Sequence, residues 1–258
     1  FIDAIEVKIQ PDDAEWDAGD IRYNVIRWTS SPDPLFGGYG PRLANPRTGE
    51  IIGADIMLEW VYLTNRINYD AIFNSDSSPM SCHSSEFIQD GMVLAQNIEL
   101  NDPKIIEQAI KRLVLHEVGH TLGLNHNFKG SYLHNNQDVH NPEITGKVGV
   151  TASVMEYPAI NLAPLGVEQG DYYDTIPGPY DIWAIKYGYT PNLSEDELAA
   201  IIAEEIKAEH MFANDSEDMR SPGRGIDPRA MINDLTNDPI TYAINRIELL
   251  NHTQDNIV

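Results

Sequence analysis

Three histidines and a glutamate stand together in the string HEVGHTLGLNH, residues 116 to 126. His116 and His120 are four positions apart, so on an α-helix their side chains leave one face, about 40° apart around the axis. Gly123 can take a backbone conformation closed to other residues and turn the chain sharply away. Such a turn brings His126 back toward the same point. Three neutral imidazoles suit zinc and leave its fourth position open to water, the mark of a catalytic site. Glu117, beside the first ligand, is within reach of that water. Zinc lowers the pKa of bound water to about 7, and a neighbouring carboxylate can take the proton and pass it to a leaving amine. HExxH alone is moderate evidence for such a site, but Gly123 and His126 are independent matches.

These residues need a rigid carrier, and DPKIIEQAIKRLVLHEVGHTLG supplies one. Asp102 is a cap, Pro103 suits the first helical position, and Ile106, Ala109, Ile110, Leu113, Val114 and Val118 recur at helical spacing until Gly123. Upstream, Ile5 to Gln10, Ile21 to Thr29 and Ile51 to Trp60 read as strands of one sheet. Pro and Gly between them mark turns. Residues 125 to 179 are loop-rich, and a stretch of that length calls for function or tertiary anchoring. A helical lobe follows. Asp181 to Tyr187 is a short helix ending at Gly188, and Ser194 with Glu197 forms a capping box before Leu198, Ile201, Ile202 and Ile206. Asp227-Pro228 and Asp238-Pro239 announce two more helices, the last with Ile240, Ala243, Ile244, Ile247 and Leu250 as a core-facing stripe.

The 258 residues suffice for a large domain with a real core. Forty Asp and Glu against 17 Lys and Arg give a formal charge of −23, which repels nucleic acids and anionic membrane faces. Oxygen donors at Asp171 to Asp174 and Asp215 to Asp218 are of the kind calcium takes, without EF-hand spacing, and keep calcium open as a second ion. The single cysteine, Cys82, excludes an intrachain disulfide. It lies beside His83, and nothing marks it as reactive. His134 and His140 read as polar loop residues, and Asn127 and Lys129 as shaping the loop after the third ligand. No apolar run is long enough for a membrane span, and the N-terminus has no signal-peptide pattern. The lack of an initiator Met suggests a piece of a longer chain.

The motif His116, Glu117, His120, Gly123, His126 resembles the signature of the metzincin clan of zinc peptidases. That resemblance implies a tight turn carrying a Met beneath the metal, matched by SVMEYP and so by Met155. It also implies that Tyr157 ligates zinc or bonds the transition-state oxyanion, that Pro158 to Asn161 line a substrate pocket, and that a strand within Ile51 to Leu58 forms the upper rim of the cleft. More narrowly, RYNVIRW, GYGP, NPRTGEI, HEVGHTLGLNHNFKGS, SVMEYP, PYDIWAIKYGY and NDPITYA are similar to secreted or periplasmic bacterial zinc metalloproteases with an extended Met-zincin domain. Secreted, periplasmic or cell-surface localisation rests on that likeness alone. Metzincins usually begin with a strand and a long helix for which this sequence has no counterpart before Phe1.

The expectation is an α+β metzincin-like (zincin) fold: a twisted mixed sheet, a long active-site helix and a helical C-terminal lobe. Residues 1–190 would be the catalytic domain and 191–258 an extension packed on it. The function expected is zinc-dependent endopeptidase, with a protein or peptide substrate. Three alternatives stay open: a catalytically inactive zinc or peptide-binding module of a larger surface protein, a zinc hydrolase of non-peptide amides or esters, and a structural fragment without metal.

Overall fold

The computed structural model describes residues 4–31, 37–60, 103–217 and 227–255. Asp102, Cys82, His83 and Asp218 lie outside them. The central element is helix α1, Lys104–Thr121. Its apolar face carries Ile105, Ala109 and Leu113, with Ile110, Val114 and Val118 packed alongside, against Ile56 and Leu58 of the sheet and Ile160, Leu162, Tyr172, Tyr173 and Leu249. Ile106, expected in this stripe, is exposed, and Ile105 takes its place. The cause is Gln108, which is drawn inward because its Oε1 accepts from the Tyr172 amide at 2.7 Å and its Nε2 donates to Asp171 at 2.9 Å. Pro103 caps the helix rather than opening it. At the far end the Leu124 amide reaches Gly119 O and the Gly123 amide reaches His120 O, with Gly123 at φ +96°. This is the bonding of a left-handed glycine stop. Arg42 Nη1 and the Tyr189 hydroxyl take the carbonyls of His120 and Leu122.

The strands are shorter than their sequence patterns. β1 (Ile26–Thr29), β2 (Gly38–Tyr39) and β5 (Ile56–Glu59) form a mixed sheet in the order β1-β5-β2, with β1 parallel and β2 antiparallel to β5. β3 (Arg42–Ala44) and β4 (Ile51–Ala54) pair as a separate antiparallel ribbon. The run Ile51 to Trp60 is therefore two strands, broken at Asp55, whose carboxylate accepts from the Val25 amide. Residues 21–23 form a turn in which the Asp20 carboxylate accepts from the Arg22 amide and guanidinium. Ile5 to Gln10 form no strand, and Ile5, Val7 and Ile9 face solvent. Alternation gives a strand only where a neighbouring strand takes up its amides, and no neighbour lies beside this one among the described residues.

After α1 the chain runs through short helical turns, including α2 (Pro142–Val148). Carboxylates anchor it alongside apolar packing. Asp174 accepts from the amides of Val150 and Thr151 and from the Thr151 hydroxyl. Asp171 accepts from Thr145 Oγ1 at 2.6 Å. His134 and His140 are buried rather than on the surface, and His134 Nε2 meets Gly149 O at 2.8 Å.

The lobe holds α3 (Pro179–Tyr189), α4 (Glu195–Ala203) and α5 (Pro239–Asp255). The capping box of Ser194 and Glu197 forms as read from sequence. α3 runs through Gly188 instead of stopping there. Asp227-Pro228 opens a turn, because Asp227 accepts from the Arg229 amide and pairs with Lys129. The face of α5 is reversed: Tyr242 and Leu249 are buried, while Ile240, Ile244, Ile247 and Leu250 are exposed. A run of backbone contacts ties residues 231–236 to the stretch after α1, with Met231 N on Phe128 O, Asn233 N on Tyr157 O and Thr236 N on Ser131 O. No helix among the described residues is long and apolar enough to cross a membrane.

Asp181 joins α3 to the turn below the histidines. Its carboxylate accepts from Ser153 Oγ at 2.6 Å, the Val154 amide at 2.8 Å and the Gly178 amide at 2.9 Å. Burial pushes this carboxyl up from 3.8 to about 6, against those three donors. Folding therefore takes up a proton here between the two values. The stability so gained is complete below pH 3.8 and is lost as pH rises through about 6. Asp181→Asn has no such titration. Urea unfolding of the two proteins across this range should show wild type losing on the order of 3 kcal/mol relative to the variant as pH rises. A difference independent of pH would refute the assignment.

Candidate metal centre

His116, His120 and His126 offer ligand atoms that all lie within 4.8 Å of one another, and they are the one such group of His, Cys, Asp or Glu among the described residues. Each ring is held from behind. His116 Nδ1 meets Val154 O at 2.7 Å, and His120 Nδ1 meets Leu124 O at 3.0 Å. A carbonyl only accepts, so both Nδ1 atoms carry the proton and both Nε2 atoms present a lone pair. His126 Nδ1 lies 2.8 Å from Asp215 Oδ1. The Nε2 atoms of His120 and His126 are 3.2 Å apart. A tetrahedral zinc with bonds of about 2.0–2.1 Å sets its nitrogens about 3.3 Å apart, and the His120–His126 pair has that spacing.

Burial, and then the charges of Arg112 and the other imidazoles, holds His116 well below its usual range. Burial followed by His126 lowers His120 to about 4. Both rings are thus neutral, as metal ligands must be.

The segment beneath is a tight turn. The Glu156 amide donates to Ser153 O at 3.2 Å, and Met155 at the bend is fully buried. Met155 Sδ lies so close to Gly119 that a Cβ at that position would overlap it. The glycine inside HEVGH therefore admits the methionine between the two ligand-bearing turns. Tyr157 leaves the same segment, and its hydroxyl lies 2.7 Å from His126 Nε2. It stands on the side of that ring where a metal would bind, so the turn delivers both the Met and the Tyr to the histidines.

Glu117 is buried, and burial pushes its carboxyl up to about 7, against a hydrogen bond from the Gly40 amide and the charge of Arg112. Gly38 and Gly40 flank it. A Cβ on Gly38 would fall 2.5 Å from Glu117 Oε1, and one on Gly40 2.9 Å from Oε2. Only a bare backbone fits against this side chain. Of the rim expected within Ile51 to Leu58, β5 is paired on both sides and so offers no edge, while β4 pairs with β3 alone. The edge of the mixed sheet on the side of α1 is β2, with no further strand beyond it among the described residues.

Sequence reasoning thus located the three histidines, Glu117, Gly123, Met155 and Tyr157, which the structure brings together. It missed Gly119, whose only signal is its place inside HEVGH, and Gly38 and Gly40, whose signal was read as turn chemistry. It also missed the contact of Asp215 with His126, and Arg112, a fully buried cation one turn before His116 whose Nη2 bonds the Glu156 carbonyl. Asn127, read as a loop former, is fully buried and has that role.

A methionine turn lying under the imidazoles, and not merely downstream of them, distinguishes this helix from other HExxH helices and defines a metzincin-type zinc metallopeptidase domain. The family follows from comparison: the Met-zincin model matches residues 99–258, more than half of the sequence, and the chain belongs to that family. Comparisons with curated proteins and with solved structures give no match.

Gly119→Ala must displace Met155 and should destabilise the protein by roughly 1–3 kcal/mol. Gly146→Ala, in α2 with open space around the position, should be neutral or stabilising by up to about 1 kcal/mol. Chemical denaturation of the two variants checks this, and equal effects would contradict the packing described.

Proposed function

We propose that this protein is a zinc-dependent endopeptidase, with His116, His120 and His126 as the metal ligands, Glu117 as general base and then acid, and Tyr157 as a donor to the oxyanion. The observation that carries this reading is the convergence of three imidazole nitrogens beside a buried carboxylate. Zinc, when bound, lowers the pKa of a water and polarises a carbonyl as a Lewis acid. Glu117 handles the proton. An Oε atom takes a proton from the attacking water and gives it to the leaving amide nitrogen. The Gly40 amide keeps that carboxylate aimed. The Tyr157 hydroxyl, next to His126, donates to the carbonyl oxygen as negative charge develops there. Met155 supports the ligands from below, and Gly123 turns the chain that carries His126.

An extended peptide suits the cleft because β2 offers the backbone groups of a sheet edge alongside α1, and such an edge binds many sequences through main-chain bonds. The strong negative charge disfavours nucleic acid as a partner. Localisation to a secreted, periplasmic or cell-surface setting, and the division at residue 190, belong to this proposal on the strength of the sequence. The alternative is an inactive zinc or peptide-binding module. Glu117 argues against it, since a structural metal site has no use for a base next to an open coordination position.

Cleavage of a denatured protein mixture, with and without chelator, tests the reading. Glu117→Ala should lower kcat by about 10²–10⁴-fold, and Tyr157→Phe by about 10²-fold with little change in KM. Chelator should abolish wild-type cleavage and added zinc restore it. Undiminished cleavage by Glu117→Ala, or indifference to chelator, would end the proposal. Bound zinc with no cleavage of any denatured protein would favour the binding module.

A further inference from the structure

The three histidines are not held alike. The Nδ1 atoms of His116 and His120 face backbone carbonyls of Val154 and Leu124, while that of His126 faces the carboxylate of Asp215. His126 is also the histidine that no helix carries, since α1 ends at Thr121. A ligand on a loop loses more freedom on binding a metal than one on a rigid helix. A carboxylate on its outer nitrogen fixes the tautomer, orients the ring and makes Nε2 a stronger donor.

The route by which Asp215 arrives is built, not incidental. Asn127, next to His126 and fully buried, donates from Nδ2 to Met211 O at 3.0 Å and accepts on Oδ1 from the Ala213 amide at 3.1 Å. The Phe128 amide donates to Ala213 O at 2.8 Å. Residues 211–213 are thus laid against the two residues that follow the third histidine. The turn beyond them is closed on itself: the Asn214 amide donates to Glu217 Oε2, and the Asp215 amide to Asn214 Oδ1. On its other sides the His126 ring stacks on Phe128, at 5.3 Å between centroids and 19° between planes, and faces Tyr157. The charged contact to this ring comes from a residue 89 positions away.

We propose that Asp215 is a positioning residue of the metal centre, supplied by the C-terminal lobe, which through His126 sets the affinity of the site for zinc. This rests on the reading of the three histidines as metal ligands. The competing explanation is an ordinary surface ion pair: the Asp215 side chain is 62% exposed, and exposed pairs contribute little. The two differ in what removal of the carboxylate does to metal binding as opposed to folding.

The test is zinc affinity of the full chain, measured by competition with a chromogenic chelator, together with the melting temperature of the metal-free protein. Asp215→Ala should bind zinc about 10–100-fold more weakly with the metal-free melting temperature nearly unchanged. Asp215→Asn keeps an acceptor but not the charge, so its affinity should fall between the two. Cobalt-loaded Asp215→Ala should show a shifted visible spectrum, reporting a changed ligand field. Asp227→Asn, which removes a carboxylate of the same lobe paired with Lys129, should leave affinity and spectrum as in wild type. Wild-type zinc affinity in both Asp215 variants, with His126→Ala losing the metal, would overturn this inference alone. Failure of the wild-type chain to bind zinc, or binding unaffected by His126→Ala, would overturn it together with the metal-ligand reading.

Discussion

Three lone pairs can meet at one point only if each imidazole is fixed at its opposite nitrogen, and much of this architecture exists to meet that condition. The acceptor behind His116 is the Val154 carbonyl, so the methionine turn must sit directly below the helix. That turn is held in place by Asp181, which reaches it from α3 and accepts from both Ser153 and Val154. The acceptor behind His120 is Leu124, which the glycine stop at the end of α1 supplies. The acceptor behind His126 comes from the lobe. Helix, turn, loop and lobe are each tied to one ring.

The polar groups that make these ties are buried, and this distinguishes the region below α1 from an ordinary apolar core. Glu156 accepts from the amides of Ser131 and Tyr157, and Ser131 Oγ donates to Asp234. Burial pushes both carboxyls up, Asp234 to about 7, and the charge of Asp234 adds to the rise at Glu156. Arg112 lies among them, with its Nε lacking a hydrogen-bond partner among the described residues. The hydrogen bonds of such a network are directional, whereas apolar contacts tolerate sliding. For a loop-rich stretch of chain such directionality matters more than sheer burial, because regular secondary structure does not fix its course.

What the sequence made legible was whatever depends on local spacing. Two histidines four apart on an apolar-periodic helix, a glycine three beyond and a third histidine three further are consecutive text, and their geometry follows from the helix and its stop. Met155 and Tyr157 were legible only through resemblance, since a lone Met or Tyr has no spacing signal of its own. Asp215 carried the opposite impression, of a loop carboxylate suited to a cation, because its partner is distant in the chain. Periodicity was also ambiguous where a helix has apolar residues on two sides. In α5 the isoleucines outnumber the residues that are buried, yet Tyr242 and Leu249 lie on the inner face. In α1 the buried Gln108 and Arg112 are polar, so a hydrophobic template passes over them. The strand pattern of Ile5 to Gln10 was a local preference that tertiary structure did not take up.

The tripeptide Gly38-Tyr39-Gly40 alternates as an extended chain does, so its two bare positions face Glu117 and its single side chain faces the other way. The buried carboxylate and the exposed surface are thereby met by opposite sides of three consecutive residues. Mutational freedom is divided along the same line: the glycines are locked by sterics, whereas position 39 can vary without touching the carboxylate. Descendants of this protein can diversify the outer face of that strand while inheriting its inner chemistry intact.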